Sequence, residues 1–274
     1  AAGFVVRRLT GIPYSFTAHG SDLHVDRHML REKVDEAAFV VAISEFNRNV
    51  ILRECGEDVA GKLVVVHCGV DTQLFRQRDT TPPDRPFTVI CVGTLQEVKG
   101  QAHLIEACRL LAGEGIDVTC MLIGKGKDRS VLERRIAEAG LEGRVSLAGS
   151  LKRADVAEVL RSAHVLVAPS VATKRGKREG IPVALMEAMS GGVAVVASDL
   201  SGIPELVEHE ATGLLVPPRD STALAGALRR LHDDPALRER LALAGREKVE
   251  REFDVRASAA ELVRRFRAHA EVAA

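Results

Sequence analysis

Short apolar runs recur along the chain without alternating polar positions. Such runs, rich in valine and isoleucine, are typical of parallel strands that are buried on both faces of a sheet. We therefore predict strands at residues 15–18, 39–43, 62–67, 87–92, 117–123, 144–147, 165–168, 193–197 and 213–216.

Between these runs, apolar residues recur three and four positions apart, which is the spacing of an amphipathic helix. Strands that alternate with helices through short loops predict an α/β protein with parallel sheets. The tail, residues 235–274, predicts two helices with a charged break near residues 250–254. The clearest of the earlier helical segments are residues 101–111, 129–139, 154–162 and 222–231.

A polar segment with several prolines, residues 77–86 (QRDTTPPDRP), predicts a linker. Downstream we predict a complete six-stranded domain over residues 87–250, followed by a C-terminal helix, 251–274, that packs back toward the N-terminal domain. Upstream, residues 1–76 hold only three predicted strands. They form either a small cap or the remnant of a larger N-terminal domain, and the opening without Met favours the remnant.

Composition narrows the class of protein. Hydrophobic residues make up 46% of the chain, enough for a full core, and aromatic residues only 3%. Lysine plus arginine equals aspartate plus glutamate, at 38 each, so no global field favours nucleic acid or an anionic membrane. No apolar stretch reaches the ~18 residues that a membrane span needs. The composition leaves open whether the protein contacts the surface of a membrane.

The cysteines include no C-x-x-C pair, which disfavours a zinc ribbon or a redox motif. Reduced cysteines in apolar runs are usually small core residues. We therefore expect a reducing compartment, the cytoplasm.

The strongest chemical signal follows the predicted strand 165–168. Residues 179–189 read EGIPVALMEAM, and Pro182 suits a first helical turn, so we predict a helix that begins near Ile181. The free N–H groups and the dipole at a helix N-terminus favour an anion such as a diphosphate. We therefore place a diphosphate at the turn of Gly180, Ile181 and Pro182.

Two glutamates flank this turn. Glu179 precedes the predicted helix and would meet whatever lies beyond the phosphates, while Glu187 lies about two turns inside and can accept two hydroxyl hydrogen bonds from a ribose. The alternative is a pair of solvated glutamates. Just before them, residues 174–178 (KRGKR) form either an exposed loop or a closing lid whose Arg178 reaches the diphosphate.

Glycines follow two further predicted strands. Gly93 comes directly after residues 87–92 and permits close backbone approach at the edge where open α/β sheets bind ligands. Lys99, at the start of the next predicted helix, is placed to neutralise phosphate. Gly124 and Gly126 lack the third glycine of a dinucleotide fingerprint and indicate only a tight turn beside the same site.

Two other segments carry candidate polar groups. Gly202 and Pro204 predict a short helix with Glu205 in its first turn, where the carboxylate either caps the helix or binds a ligand. His19 directly follows the first predicted strand and precedes a Gly-Ser-Asp loop, so it lies at the sheet edge where catalytic residues are usually found. A lone histidine, however, is often structural. No ligand set for a metal ion is predicted.

Taken together, these segments resemble the large retaining GT-B glycosyltransferase family (glycosyl transferases group 1), which makes bacterial surface polysaccharides and exopolysaccharides. The resemblance covers essentially the whole chain. The passage from Arg178 to Met189 is similar to the exopolysaccharide and colanic-acid branch. The other matches, in family order, are residues 40–44 (VVAIS), 62–75 (KLVVVHCGVDTQLF), Gly93 to Gly100, Gly124-x-Gly126, the Glu-x₇-Glu pair and residues 202–205 (GIPE).

The resemblance implies a role for four residues. Lys99 would bind the donor diphosphate, Glu179 would contact the donor sugar, Glu187 would hold the ribose, and His19 would reach the transferred sugar from the first domain. The family works without a bound metal or other cofactor. Where it often has a second diphosphate cation, this chain has Thr94, so either Arg178 or another loop cation substitutes or phosphate binding is weaker.

We therefore expect transfer of a hexosyl unit from a UDP- or GDP-sugar to a glycan or lipid-linked acceptor, in the cytoplasm, with contact at the inner face of the membrane left open. The resemblance also implies further chain before Ala1 that carries most of the acceptor site, so this chain is expected to bind donor but to transfer poorly. Two other functions stay open, a nucleotide-sugar epimerase of the same architecture and a non-catalytic nucleotide-sugar-binding module. The missing third glycine disfavours a dehydrogenase.

Overall fold

A computed structural model describes residues 2–24, 27–78, 82 and 86–273. The α/β prediction is confirmed, because the described strands form two parallel sheets with helices packed around them. Of the predicted linker 77–86, residues 79–81 and 83–85 lie outside the described residues.

The first unit is built on a three-stranded sheet in the order β1-β2-β3. Ala18, Val34, Ile51 and Leu63 are among the apolar side chains of its core. Its strands are β1 Phe16–Ala18, β2 Val40–Ala42 and β3 Leu63–Val65, and its helices are α1 Ala2–Thr10, α2 Gly20–His24, α3 Leu30–Glu36 and α4 Glu45–Cys55, with a 3-10 turn at Glu57–Lys62.

The second unit is built on a six-stranded sheet in the order β6-β5-β4-β7-β8-β9. Strand order reverses between β4 and β7, and the crevice at such a reversal, outside the carboxyl ends of the strands, is where open α/β sheets bind ligands. The strands are β4 Phe87–Val92, β5 Val118–Ile123, β6 Val145–Gly149, β7 Val165–Ala168, β8 Ala194–Ser198 and β9 Leu214–Val216.

Helices cover both faces of this sheet. One apolar core includes Leu104, Leu132 and Leu228, and a second, on the other face, includes Leu160 and Met186. Two sheet faces covered in this way explain why the strands read as uninterrupted apolar runs. The helices are α5 Gln101–Gly113, α6 Arg129–Glu138, α7 Arg153–Arg161, α8 Val183–Ser190, α9 Ile203–Leu206, α10 Ser221–Asp233, α11 Pro235–Glu252 and α12 Val255–Ala273.

The two units meet where the chain passes from β3 toward β4. The N–H of Val70 donates to the carbonyl of Phe253 at 2.8 Å, and the N–H of Val255 donates back to Val70 at 3.1 Å. Helix α12 lies against the first unit, since the ring of Phe39 is 5.4 Å from that of Phe266. Within the described residues, no helix is long and apolar enough to cross a membrane.

Candidate functional site

The loops that follow β4 and β7 pack against each other at the point where the strand order reverses. The N–H of Val171 donates to the carbonyl of Val98 at 3.0 Å. Gly100 has a φ of +68°, and a Cβ added there would lie 1.8 Å from the carbonyl oxygen of Pro169. Only glycine allows this approach, which fixes the position of the residues before Gly100.

Lys99 and Glu179 meet at this junction. The Nζ of Lys99 lies 2.6 Å from Oε2 of Glu179, and each side chain is about one-fifth exposed (21% and 20%). The aliphatic stem of Lys99 crosses Gly93, where an added Cβ would be 3.1 Å from its Cδ. The two residues that the sequence assigned to phosphate and sugar are therefore in contact with each other.

The prediction that Lys99 begins a helix is wrong in detail. Lys99 ends a 3-10 turn, Glu97–Lys99, and the left-handed Gly100 separates this turn from α5. A 3-10 turn is tighter than an α-helix, and here it directs the lysine side chain back over Gly93.

Helix α8 starts later than predicted. It begins at Val183, with Pro182 in the extended N-cap position, so Glu187 lies about one turn inside it rather than two. Gly180 and Ile181 precede the helix. The Ile181 side chain is buried in the core beside Gly202, so it shapes the turn by packing. The positive end of the helix still faces the segment that carries Glu179.

Glu187 is buried and pairs with an arginine that sequence reasoning missed. The Nε of Arg153 donates to Oε1 of Glu187 at 3.1 Å. Burial raises the pKa of Glu187, and the charge and hydrogen bond of Arg153 oppose that rise. The Arg153 guanidinium also lies over the ring of Phe75, 5.2 Å from its centroid. The only available signal was the position of Arg153 at the start of the helix that follows β6.

The loop of Gly124 and Gly126, which follows β5, packs against the loop that follows β4. A Cβ on Gly124, whose φ is +147°, would lie 2.0 Å from the carbonyl oxygen of Gly93, and one on Gly126 would lie 2.2 Å from that of Leu95. The N–H of Leu95 donates to the carbonyl of Lys125 at 3.0 Å. These glycines thus let two loops pack backbone to backbone, which is a structural reason for the tight turn.

The loop of His19 faces the segment before Glu179 from the first unit. His19 is exposed, and its N–H donates to Oδ2 of Asp22 at 2.9 Å. A Cβ added at Gly20 would lie 3.6 Å from the carbonyl oxygen of Arg178. Burial lowers the pKa of His24, and the positive charge of Arg178 is among the charges that lower it further. The two units therefore meet here, with the loop of His19 against the backbone of Arg178.

Glu205 joins the two units instead of capping its own helix. Its carboxylate accepts from the N–H groups of Glu45 and Phe46 at the start of α4, both at 2.8 Å, and lies 3.1 Å from Nε2 of His67. Burial would raise the pKa of Glu205, but these hydrogen bonds outweigh it, and the pKa lies below its ordinary value. The sequence left open whether Glu205 caps a helix or binds a ligand. In the structure it caps a helix, which is α4 of the first unit and not its own helix α9.

The cationic loop 174–178 is a hydrogen-bonded turn in the structure. The N–H of Thr173 donates to the carbonyl of Lys177 at 2.9 Å, and Gly176 has a φ of +81°. The Nζ of Lys177 donates to Oε1 of Gln96 at 3.1 Å, so the loop rests on the loop after β4. Closure of this loop over a ligand stays a prediction.

Two parallel α/β units, with the loop after β1 lying against the loop after β7, define the class of fold. Crystal structures of the GT-B glycosyltransferase type share this fold. Anabaena HepE in complex with UDP-glucose superimposes with a TM-score of 0.84 at 24% identity, covering 97% of this chain and 75% of that one. Sucrose-phosphate synthase from Thermosynechococcus elongatus gives 0.84 at 26% identity, with 97% and 70% covered.

The chain belongs to the glycosyl transferases group 1 family, whose profile matches residues 73–248. The amylovoran biosynthesis glycosyltransferase AmsK of Erwinia amylovora is 36% identical over 86% of this chain, and the putative colanic acid biosynthesis glycosyltransferase WcaL of Escherichia coli is 39% identical over 70%. The chain spans 59% of AmsK and 48% of WcaL. The 2-deoxystreptamine glucosyltransferase of Streptomyces kanamyceticus is 31% identical over 93% of this chain and 70% of its own length.

Proposed function

We propose that the protein transfers a hexosyl unit from a UDP- or GDP-sugar to a glycan or lipid-linked acceptor, with retention at the anomeric carbon. The contact between Lys99 and Glu179 at the reversal of strand order carries this proposal. One cation and one carboxylate lie side by side there, 2.6 Å apart, in the crevice where an open α/β sheet takes its ligand. The names of AmsK and WcaL support a polysaccharide product.

In this proposal, donor binding exchanges the partners of the ion pair. The diphosphate takes the Nζ of Lys99, and the start of α8 adds its positive dipole end. Glu179 is then free to accept a hydrogen bond from a hydroxyl of the donor sugar. Phosphate charge is met by Lys99 and the helix end, so we propose that the site works without a metal ion.

The remaining site residues place the two ends of the donor. Glu187 accepts hydrogen bonds from the ribose diol, and the Nε of Arg153 donates to the same carboxylate. His19, in the loop of the first unit that lies against Arg178, contacts the transferred sugar. Arg178, next to Glu179 in sequence, supplies the second cation that Thr94 does not.

The chemical step then needs no protein nucleophile. The bond between the anomeric carbon and the diphosphate oxygen breaks, and the acceptor oxygen bonds to the same face of that carbon. The acceptor proton passes to the departing diphosphate oxygen. Lys99 and the start of α8 stabilise the charge that develops there, which is usually the largest contribution to catalysis. A lipid-linked acceptor would bring the protein to the inner face of the membrane.

Calorimetric titration with UDP-, GDP- and ADP-sugars tests the proposal. We expect one UDP- or GDP-sugar to bind the wild-type chain, and Lys99→Met to weaken it about tenfold or more, because charge-assisted hydrogen bonds to phosphate are lost. Arg109→Met is the matched control, since Arg109 also pairs at 2.6 Å, with Glu106 on α5. If no nucleotide sugar binds, the proposal is wrong. An epimer formed from donor alone would point to the epimerase.

A further inference from the structure

We propose that Arg219 is a positioning residue for the donor site, because it joins the two loops that carry Lys99 and Glu179. Its guanidinium reaches both loops from a third loop, the one that follows β9. The inference rests on the proposed function and adds to it a residue that acts without touching the substrate.

One nitrogen of the guanidinium contacts both loops. The Nη2 of Arg219 donates to the carbonyl of Ala172 at 2.6 Å and lies 3.3 Å from Oε1 of Glu97. Glu97 begins the 3-10 turn that ends at Lys99, and Ala172 lies in the segment between β7 and Glu179. Arginine can hold two acceptors at once, because its planar group carries five N–H donors.

The loop after β9 holds the backbone of Arg219 in a fixed place. Residues 217–218 are both proline, which restricts the backbone before it. Asp220, which follows it, is the N-cap of α10 and accepts an N–H of the first turn at 2.8 Å. The hydroxyl of Ser221, the first residue of α10, lies 3.3 Å from Nδ1 of His103 on α5. The guanidinium is therefore attached to backbone that is held from both sides.

This backbone is also strained at Arg219. Its φ is +66°, in the left-handed region that a residue with a Cβ occupies only at a cost. Such residues persist where the surrounding structure holds them, and they cluster at ligand-binding and catalytic sites. Asparagine or glycine would fit the same turn at lower cost, so the turn alone does not explain an arginine. The contacts to Ala172 and Glu97 do.

Two further contacts join the same pair of loops. The N–H of Val171 donates to the carbonyl of Val98 at the base, and the flexible side chain of Lys177 donates to Gln96 farther out. Arg219 holds the residue that follows Val171, where the cationic loop begins. Without Arg219, the start of this loop would be held only at its base.

Of the two contacts of Arg219, the one to Ala172 is expected to matter more. The side chains of Arg219 and Glu97 are 48% and 54% exposed, and ion pairs as exposed as this one contribute little. A charged donor on a backbone carbonyl at 2.6 Å is the stronger interaction. Glu97→Gln should therefore weaken the nucleoside diphosphate and the nucleotide sugar only slightly and by the same factor.

Limited proteolysis tests the contact directly. Trypsin cleaves after lysine and arginine, and the cationic loop reads KRGKR. Cleavage of a folded chain requires local opening, so its rate reports how firmly the loop is held. Arg219→Asn accepts the left-handed backbone but is too short to reach Ala172, and it should raise the rate of cleavage in this loop about threefold or more. Mass spectrometry of the products identifies the cleaved bonds.

Donor affinity tests the consequence for the site. Calorimetric titration with the nucleotide sugar that binds the wild type should show about threefold to tenfold weaker binding to Arg219→Asn, as expected for the loss of one charged hydrogen bond. The unfolding temperature should stay at the wild-type value, because relief of backbone strain offsets the loss of exposed contacts. Arg219→Lys, which keeps a charged donor, should reverse part of both effects.

Glu210→Asn is the matched control. Glu210 has a φ of +65°, its side chain is 47% exposed, and it pairs with Arg230 on α10. It precedes β9 and so lies at the opposite edge of the sheet from the donor site. The substitution changes the same backbone conformation and removes a comparable ion pair, and it should leave loop cleavage and donor affinity at the wild-type values.

Three results would overturn the inference. Unchanged loop cleavage in Arg219→Asn would show that Arg219 does not hold the loop. Faster cleavage with unchanged donor affinity would show that this contact does not position the site, and a lower unfolding temperature together with a lower affinity would assign Arg219 a general structural role. If the wild-type chain binds no nucleotide sugar, the proposed function is wrong, while the cleavage rates still report on the contact.

Discussion

The guanidinium of Arg153 and the carboxylate of Glu187 lie 3.1 Å apart, at the start of α7 and one turn inside α8. Glu187 is 10% exposed at its side chain and Arg153 is 51% exposed, so the pair joins a buried acid to a cation at the surface. Arg153 is itself held over the ring of Phe75. The hydroxyl of Ser190 on α8 donates to the carbonyl of Phe75 at 2.7 Å, which ties the same helix to this ring.

Substitution Arg153→Met should shift the pH dependence of donor binding. Burial raises the pKa of Glu187 and Arg153 opposes that rise, so removing Arg153 raises the pKa further. The carboxylate is the form that accepts hydroxyl hydrogen bonds, and it is lost as pH falls through this pKa. Donor affinity, measured by calorimetry from pH 5 to 8, should therefore decline at a higher pH in the variant than in the wild type.

Arg161→Met provides the control, because Arg161 pairs with the exposed Glu158 at the far end of α7. Its pH profile should match the wild type. Arg153→Lys, which keeps the charge but not the planar guanidinium, should restore part of the profile. Identical profiles for the wild type and Arg153→Met would show that Arg153 does not tune Glu187.

Glu205→Gln should destabilise the contact between the two units. The carboxylate accepts two backbone hydrogen bonds at the positive end of α4, which an amide oxygen satisfies only in part. Loss of a comparable helix cap costs about 1–2 kcal/mol. Urea unfolding at pH 7 should show a loss of this size. The exposed Glu210, which pairs with Arg230, supplies the control Glu210→Gln with no measurable loss.

The pH dependence of the same variant has a defined sign. The pKa of Glu205 is lowered in the folded protein, so its stabilisation is present above the unfolded pKa and disappears as pH falls through the folded pKa. The difference in unfolding free energy between wild type and Glu205→Gln should therefore shrink below about pH 4. A difference that stays constant into acid would mean that the charge of Glu205 is not what stabilises the contact.

The strands could be predicted because sheets covered on both faces leave a local signature. The apolar run 87–92 became β4 and the run 165–168 became β7 with the predicted ends. Their adjacency in the sheet follows from the topology of a doubly wound fold, and it brings Lys99 to Glu179 although 80 residues separate them in sequence.

The partners of Glu205 and Glu187 could not be predicted in this way. Glu205 contacts Glu45 and Phe46 across the boundary between the units, 160 and 159 residues away, and such contacts leave no periodic pattern. The late start of α8 has a local cause, since Pro182 adopts an extended ψ of 124° at the N-cap. Proline is accepted there as well as in the first turn, and the sequence alone did not distinguish the two positions.

Gly100→Ala should disrupt the site more than its backbone angle alone explains. An alanine at φ +68° costs about 1–2 kcal/mol wherever it occurs, and here its Cβ would also overlap the carbonyl oxygen of Pro169. Gly115→Ala is the matched control, because Gly115 has a φ of +82° with nothing within 4 Å of an added Cβ. We expect Gly115→Ala to lose stability but keep donor affinity, and Gly100→Ala to lose both. Equal effects would show that the contact with Pro169 can relax.

Glu179→Gln should separate nucleotide binding from sugar binding. In the free chain, Lys99 is held by Glu179 at 2.6 Å, and that contact must open before a diphosphate takes the lysine. Removing the carboxylate frees Lys99, so the nucleoside diphosphate should bind about twofold to threefold more tightly, as expected for a partly exposed ion pair. The nucleotide sugar should bind about tenfold more weakly, because a charged hydrogen bond to its hydroxyl is lost.

The ratio of the two affinities is the measurement, since a general distortion of the site would weaken both ligands together. Glu97→Gln gives the control, because Glu97 lies in the same 3-10 turn as Lys99 but pairs with Arg219. The ratio of the two affinities in this variant should equal that of the wild type. A parallel loss for both ligands in Glu179→Gln would contradict the exchange of partners. It would then assign Glu179 to holding Lys99 in place, without a contact to the sugar.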